Sequence, residues 1–380
     1  MRTKSESEQT ILDRLTSYRA RDIPYNRVLG AMCTHPHPIA VKAHELFMET
    51  NLGDAGLFPG TYDIEQEVIT MLGRLLGDPD VYGYITTGGT ESNIQAIRAV
   101  RNSKKIARPN IIISRSAHFS FDKIADILDI EVRKVGLDDQ FKMDMGDVES
   151  NIDSNTIGLV GIAGTTEFGQ IDPIRKLSDI AVERNLFLHV DAAFGAFVIP
   201  FLDKKYEFDF QLPGVSSITA DPHKMGLCTI PAGGLLFKDP SYMQVLQTQT
   251  PYLTTDTQYS LSGTRCGAVA AAAYAVMKHL GIDGYRSTVQ HCMELTHRVI
   301  ERSREFGVEP VMEPVMNIVV LDVGDTAAVK EALKKKGWYA SITREPKALR
   351  LVIMPHLTQI ILDDFLHDLE EICRQQRSLR

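Results

Sequence analysis

VYGYITTGGTESN, residues 81–93, runs from a β-rich stretch through a glycine pair into a segment of helical period. The same succession of short apolar run and helix continues to about residue 240. Strands are expected at 81–86, 110–114, 131–135, 156–162, 186–190, 215–220 and 233–237, and helices at 90–103, 119–129 and 174–184, the last entered after Pro173. Runs this short and apolar, separated by helices, predict an α/β fold: a mainly parallel seven-stranded sheet with helices on both faces. A second block follows, with a long amphipathic helix at 285–306, strands at 317–321 and 349–353, and helices at 325–336 and 358–374. It predicts a small C-terminal α+β domain over 285–380, after a large domain over 61–284. Residues 1–60 form an N-terminal segment whose mixed, Gly- and Pro-containing pattern assigns no fold.

Composition narrows the function classes. A chain of 380 residues with 44% hydrophobic content supplies a substantial core. Its 41 basic and 49 acidic residues give a net charge of −8, a poor match for a phosphate backbone, so a small-molecule partner is expected and nucleic acid is not. No stretch approaches the roughly 20 uncharged apolar residues of a membrane span. The N-terminus, MRTKSESEQT, has no apolar signal core. A cytoplasmic protein without a membrane partner is expected. The cysteines, at 33, 228, 266, 292 and 373, include no Cys-x-x-Cys pair and read as reduced thiols filling apolar gaps.

Three strand ends carry candidate chemistry. At the first, Gly88, Gly89 and Thr90 stand where backbone N–H groups and the helix dipole favour an anion, which makes a phosphate cradle. The alternative is a plain helix cap, since a Thr with an Asn three positions on ends a helix without any ligand. Neither a P-loop lysine nor a Gly-x-Gly-x-x-Gly fingerprint is present. At the second, Asp191 arrives at the carboxyl edge of the sheet, where open α/β folds bind ligands, although an Asp in that position also serves as an ordinary turn residue. At the third, strand 215–220 delivers Asp221-Pro222-His223-Lys224. A lysine at a buried site must be neutralised, paired or used covalently, and a Schiff base to an aldehyde cofactor is the common use. Cradle, carboxylate and lysine in that order on one sheet are far more specific than any one of them. Cys33, His35 and His37 alternate, but a closed zinc site takes about four ligands and no remainder lies nearby, so no metal is expected.

With TTGGTESN (86–93), Ser116-Ala117-His118, HVDAAFG (189–195) and DPHK (221–224), the chain resembles the fold-type I pyridoxal 5′-phosphate (PLP) enzymes, and among them the group II amino-acid decarboxylases. MCTHPHPIA (32–40), NLGDAGLFPGT (51–61), GTTEFGQIDPI (164–174) and SGTRCG (262–267) look like the archaeal L-tyrosine/L-aspartate decarboxylases. The resemblance spans most of the chain. It implies that PLP is the cofactor and that an L-amino acid loses its α-carboxylate, giving tyramine for methanofuran or β-alanine for coenzyme A. It implies further that Lys224 carries PLP and that Asp191 holds the pyridine nitrogen protonated. In the same pattern His118 lies on the ring face, Gly89, Thr90 and His223 meet the phosphate, and Thr165 sits near the ring. Thr264 reaches the phosphate of a neighbouring protomer in a homodimer, and Arg350 grips the substrate carboxylate with its planar fork. His37 lines the pocket, and Tyr252 helps to protonate the product carbanion.

Other readings share the scaffold. Carbon–carbon lyases, phosphoseryl-tRNA-type sulfur transferases and aminotransferases use the same Lys, Asp and His trio, and a catalytically silent PLP-fold binding protein is a further alternative. The presence of both Lys224 and Asp191 weighs against the silent form. Between the two substrates, an aspartate side chain needs a second cation, and the stretch between Lys42 and Arg74 has no Lys or Arg. An aromatic side chain packed on Leu57 and Phe58 is the easier guest.

Overall fold

The computed structural model describes residues 5–378; residues 1–4 and 379–380, at the ends of the N-terminal segment and the C-terminal block, lie outside the described residues. The main sheet is built from β1 (Tyr82–Thr86), β2 (Asn110–Ser114), β3 (Glu131–Val135), β4 (Thr156–Ile162), β5 (Phe187–Asp191), β6 (Val215–Ala220) and β7 (Gly233–Phe237). Their order is β1-β7-β6-β5-β4-β2-β3. β7 is antiparallel to β1 and β6, and every other pair is parallel. All seven expected strands are present. β2, β4 and β5 are buried along their whole length, which is why they read as unbroken apolar runs.

The helices are α1 (Glu8–Arg19), α2 (Pro38–Phe47), α3 (Pro59–Leu75), α4 (Gly89–Lys104), α5 (Ser120–Leu128), α6 (Met145–Asn151), α7 (Ile174–Arg184), the single turn α8 (Ser241–Gln244), α9 (Gly267–Glu305), α10 (Thr326–Lys335) and α11 (Gln359–Ser378). On one side of the main sheet, α3, α7 and the first half of α9 enclose a core that includes Val68, Leu72, Leu177, Leu188 and Val276. On the other, α4 and α5 pack through Ile94, Ile97, Phe121 and Ile124. The long helix starts at Gly267, well before the expected residue 285, and its helical geometry breaks at Gly281 (φ 57°). Its first stretch, GAVAAAAYAVM, is buried almost all round, so no polar face marks it as a helix.

A hairpin, β8 (Thr248–Gln249) with β9 (Thr257–Gln258), precedes the second block. There β10 (Glu309–Pro310), β11 (Ile318–Asp322), β12 (Ser341–Ile342) and β13 (Leu349–Val352) form an antiparallel sheet in the order β10-β11-β13-β12. Its core is distinct: Val299, Val319, Leu333, Trp338, Leu351 and Phe365. The N-terminal segment crosses between the two sheets. The N–H groups of Leu29 and Gly30 donate to Tyr339 O, and Leu29 O accepts from Val352 N. Within the main body a buried pair, Arg265 with Glu65, ties α3 to the segment before α9, and Arg265 also donates to the carbonyls of Leu52 and Ile85. Cys228, Cys292 and Cys373 are buried and Cys33 half-buried, but Cys266 is exposed as the N-cap of α9 and fills no apolar gap.

Candidate active site

The ends of β4, β5 and β6, with the turn after β1, open on one cavity of about 270 Å³. Lys224 lies in it, with its Nζ 3.0 Å from Asp221 Oδ2. Burial disfavours the ammonium, but the charges of Asp221 and Asp191 outweigh it and hold the Lys224 pKa above its ordinary value. The second oxygen of Asp221, Oδ1, is buried and has no hydrogen-bond partner.

Asp191, the last residue of β5, is held from two sides. Its Oδ1 accepts from Ala193 N (3.1 Å) and its Oδ2 from Asn93 Nδ2 (2.9 Å). Asn93, on α4, accepts in turn through Oδ1 from Thr219 Oγ1 (2.9 Å) and His189 Nε2 (3.0 Å). Burial lowers the His189 pKa to about 4, so the ring is neutral. With its one proton on Nε2, its Nδ1 accepts from Ser217 Oγ at 2.7 Å. His189 and Asp191 alternate on β5 and lie in register with Ser217 and Thr219 on β6, so strand periodicity brings all four to the face beneath α4.

The N-terminus of α4 is the open end the sequence suggested. Its N-cap is Gly88 at φ 132°, and no side chain caps it. The alternative of a plain Thr and Asn cap therefore fails; Glu91 reaches back to Thr87 N and Oγ1 (2.8 Å each). The first N–H groups of a helix have no acceptor within it, so here they are available to an anion. A Cβ on Gly89 would stand 3.0 Å from Asp221 Oδ2 and 3.2 Å from Ala193 Cβ, so a larger residue would require its neighbours to give by a few tenths of an ångström. His223 lines the same end, with Nδ1 donating to Ala232 O, which leaves Nε2 for a ligand. His118 lines the cavity from the turn after β2; its Nδ1 accepts from Ser120 N (3.2 Å). Burial lowers its pKa, so the neutral ring carries its proton on Nε2.

The remaining expected residues lie away from this cavity. Thr165 is fully buried and clasps its own loop, its Oγ1 accepting from Gln170 N (3.0 Å), while its neighbours Gly164 and Thr166 are the ones that line the cavity. His37 caps α2 and packs against His279 (4.9 Å between ring centres). Tyr252 is 85% exposed and Thr264 is exposed. NLGDAGLFPGT, expected at the pocket mouth, instead borders a second recess of about 410 Å³ with Tyr259 and Arg265. Arg350 is buried on β13; Nη1 donates to Gly30 O (3.0 Å) and Ser341 Oγ (2.9 Å), while Nε and Nη2 have no partner. Burial lowers its pKa to about 10, against the opposing pull of Glu167. Among the described residues no three His, Cys, Asp or Glu side chains converge as a metal site. No described helix is long and apolar enough to cross a membrane.

A primary amine, an uncapped helix end lined by glycine, a strand-end carboxylate and the orphaned Asp221 Oδ1 in one cavity fit PLP, with its aldehyde, phosphate and ring nitrogen. The family model described as the pyridoxal-dependent decarboxylase conserved domain matches residues 48–322, more than half of the chain. The chain belongs to the pyridoxal-dependent decarboxylase family. It is a PLP-dependent group II decarboxylase. It is 58% identical to a probable L-tyrosine/L-aspartate decarboxylase of Methanothrix thermoacetophila, over 97% of this chain and 96% of the relative. It is 52% identical to a probable L-aspartate decarboxylase of Archaeoglobus fulgidus, over 96% and 100%. Among solved structures, a sphingosine-1-phosphate lyase of Burkholderia pseudomallei superposes with a TM-score of 0.90 at 27% identity, covering 100% of this chain and 94% of that one. The glutamate decarboxylase of Lactobacillus brevis shares the fold, with a TM-score of 0.90 at 23% identity over 99% and 94%. In the decarboxylase, sequence reasoning missed Asn93, His189, Ser217 and Thr219. The signal was there: buried polar residues at alternate positions, His189 and Asp191 on β5 and Ser217 and Thr219 on β6.

Proposed function

We propose that the decarboxylase acts on L-tyrosine in preference to L-aspartate, as a cytoplasmic homodimer, with Lys224 as the amine that carries PLP. The charge inventory of the site supports the substrate reading. Arg350, outside the cavity lining, has one unpartnered edge, Nε and Nη2, that would suit one carboxylate. Among the described residues that line the cavity Lys224 is the only lysine or arginine, and Asp191, Asp221 and Glu91 line it too. A second carboxylate desolvated there would lack a positively charged partner, at a cost of several kcal/mol.

PLP, when bound, supplies the electron sink for the pair left behind as CO2 departs. Asp191 accepts from the ring nitrogen. Gly89 and Thr90 at the start of α4, with His223, hold the phosphate, and Thr165 fixes the loop beside the ring. His118 presents its Nε2–H to the cavity, and Arg350 holds the substrate carboxylate. Tyr252 and Thr264 act in trans. In support, Leu57, Tyr252 and Leu261 are all exposed, and loop 51–58 is joined to 254–265 through Thr254 with Asp54 and Gln258 with Gly53, making one outward surface. A division into an N-terminal segment to residue 60, a large domain to 284 and a small domain is supported by the separate core around Trp338. Tyramine for methanofuran is the corresponding product, with β-alanine for coenzyme A as the secondary one; the Archaeoglobus relative, named for aspartate alone, keeps that second reading in view. Measuring kcat/KM for CO2 release from the two amino acids side by side tests the choice. Tyrosine is expected to be the better substrate, and a clear preference for aspartate would overturn it.

A further inference from the structure

Asp191 is surrounded by an unusual set of neighbours. The donors to its oxygens are both uncharged: Ala193 N and Asn93 Nδ2. Behind Asn93 stand His189 and Thr219, and behind His189 stands Ser217, all fully buried. Each member of this chain has one consistent role. Thr219 Oγ1 and His189 Nε2 point donors at Asn93 Oδ1, so the amide cannot flip without setting its NH2 against them. That forces Nδ2 toward Asp191 Oδ2, while its second proton goes to Ser120 Oγ (3.1 Å).

We propose that Asn93 is a positioning residue for the cofactor's ring nitrogen: an amide locked by His189 and Thr219 fixes the Asp191 carboxylate and supplies it with a dipole in place of a cation. The inference rests on the reading of Asp191 as the partner of that nitrogen. A carboxylate held by neutral donors keeps its negative charge for the pyridine N–H, whereas a cation in direct contact would compete with it. Interposing an amide between His189 and Asp191 keeps the imidazole one hydrogen bond away. The other titratable groups around the carboxylate are His118 and Lys224, with Asp221 beside Lys224. None of these bonds Asp191 in the structure, so its orientation depends on the amide and on Ala193 N.

The test reads the ring nitrogen itself. Holoenzyme is loaded with PLP labelled with nitrogen-15 in the ring, and the chemical shift of that nitrogen is followed against pH in wild type, Asn93→Ala and Asp191→Asn. Asn93→Ala is expected to lower the titration midpoint by about one pH unit, a tenfold loss of proton affinity. A merely structural role would alter PLP occupancy or thermal stability and leave this midpoint in place. Should Asn93→Ala fail to fold, Thr219→Val keeps the shape and removes one of the two donors that orient the amide; a smaller shift in the same direction is then expected. A wild-type midpoint in whichever of these variants folds, with a lowered one in Asp191→Asn, overturns the role of Asn93 alone. A wild-type midpoint in Asp191→Asn overturns the underlying reading of Asp191.

Discussion

His189 is a base buried without charge, and that gives the fold a pH signature. Burial lowers its pKa from 6.5 to about 4, so as pH falls the unfolded chain takes up a proton that the folded chain refuses. Its contribution is therefore intact above pH 6.5 and is lost as the pH falls toward 4. Between about pH 7.5 and pH 5 the loss amounts to about 2 kcal/mol. His189→Gln cannot take up that proton, and its amide keeps an N–H for Asn93. Urea unfolding of wild type and variant at the two pH values should show the variant losing about 2 kcal/mol less; equal losses would contradict the neutral-histidine assignment. At this scale the sequence was partly legible. Lys224, Asp191 and His118 announced themselves through the motifs around them, and the structure brings all three to one cavity. The supporting shell was not legible, because its meaning depends on the register between β5 and β6 and on where α4 lies above them.

At the scale of elements, the decisive feature is the end of α4. Gly89 is tight against Asp221 and Ala193, and Gly88 occupies a backbone region that side chains strain to enter. Gly89→Ala should push the helix end away from the turn that carries Lys224. About tenfold weaker PLP binding, with helical content unchanged, is expected from titration of the cofactor-free protein, since a lost charge-assisted hydrogen bond is worth roughly 1.5 kcal/mol or more. Unchanged affinity would show that the cradle lies elsewhere. The strands of the main sheet were legible because buried parallel strands leave continuous apolar runs. Two kinds of helix were not. α1 has no buried residue, so its sequence carries no inward stripe, and the opening of α9 is buried on nearly all sides, so it carries no outward one.

At the scale of the whole molecule, the site draws on segments far apart in the chain. Met32 lines the cavity from the N-terminal segment, Gly88, Gly89 and Asn93 from the turn after β1 and the start of α4, Asp191 and Ala193 from the end of β5, and Lys224 from the turn after β6. Arg350, on the second sheet and outside the cavity lining, is tethered through Gly30 to the segment that carries Met32. The sequence could place the cradle, Asp191 and Lys224 at strand ends but could not show that Leu57, Tyr252 and Thr264 face outward, since direction is set by tertiary packing, here the Arg265–Glu65 pair and the bonds around Asn51. The claim on which everything else depends is that the amine in this cavity carries the cofactor. The direct measurement is borohydride reduction of the PLP-loaded enzyme followed by proteolysis and mass spectrometry, in wild type and in Lys224→Ala. A single pyridoxyl-bearing peptide containing Lys224 is expected in wild type and none in the variant; a label on any other lysine of the wild type, or covalent trapping in Lys224→Ala, would contradict it.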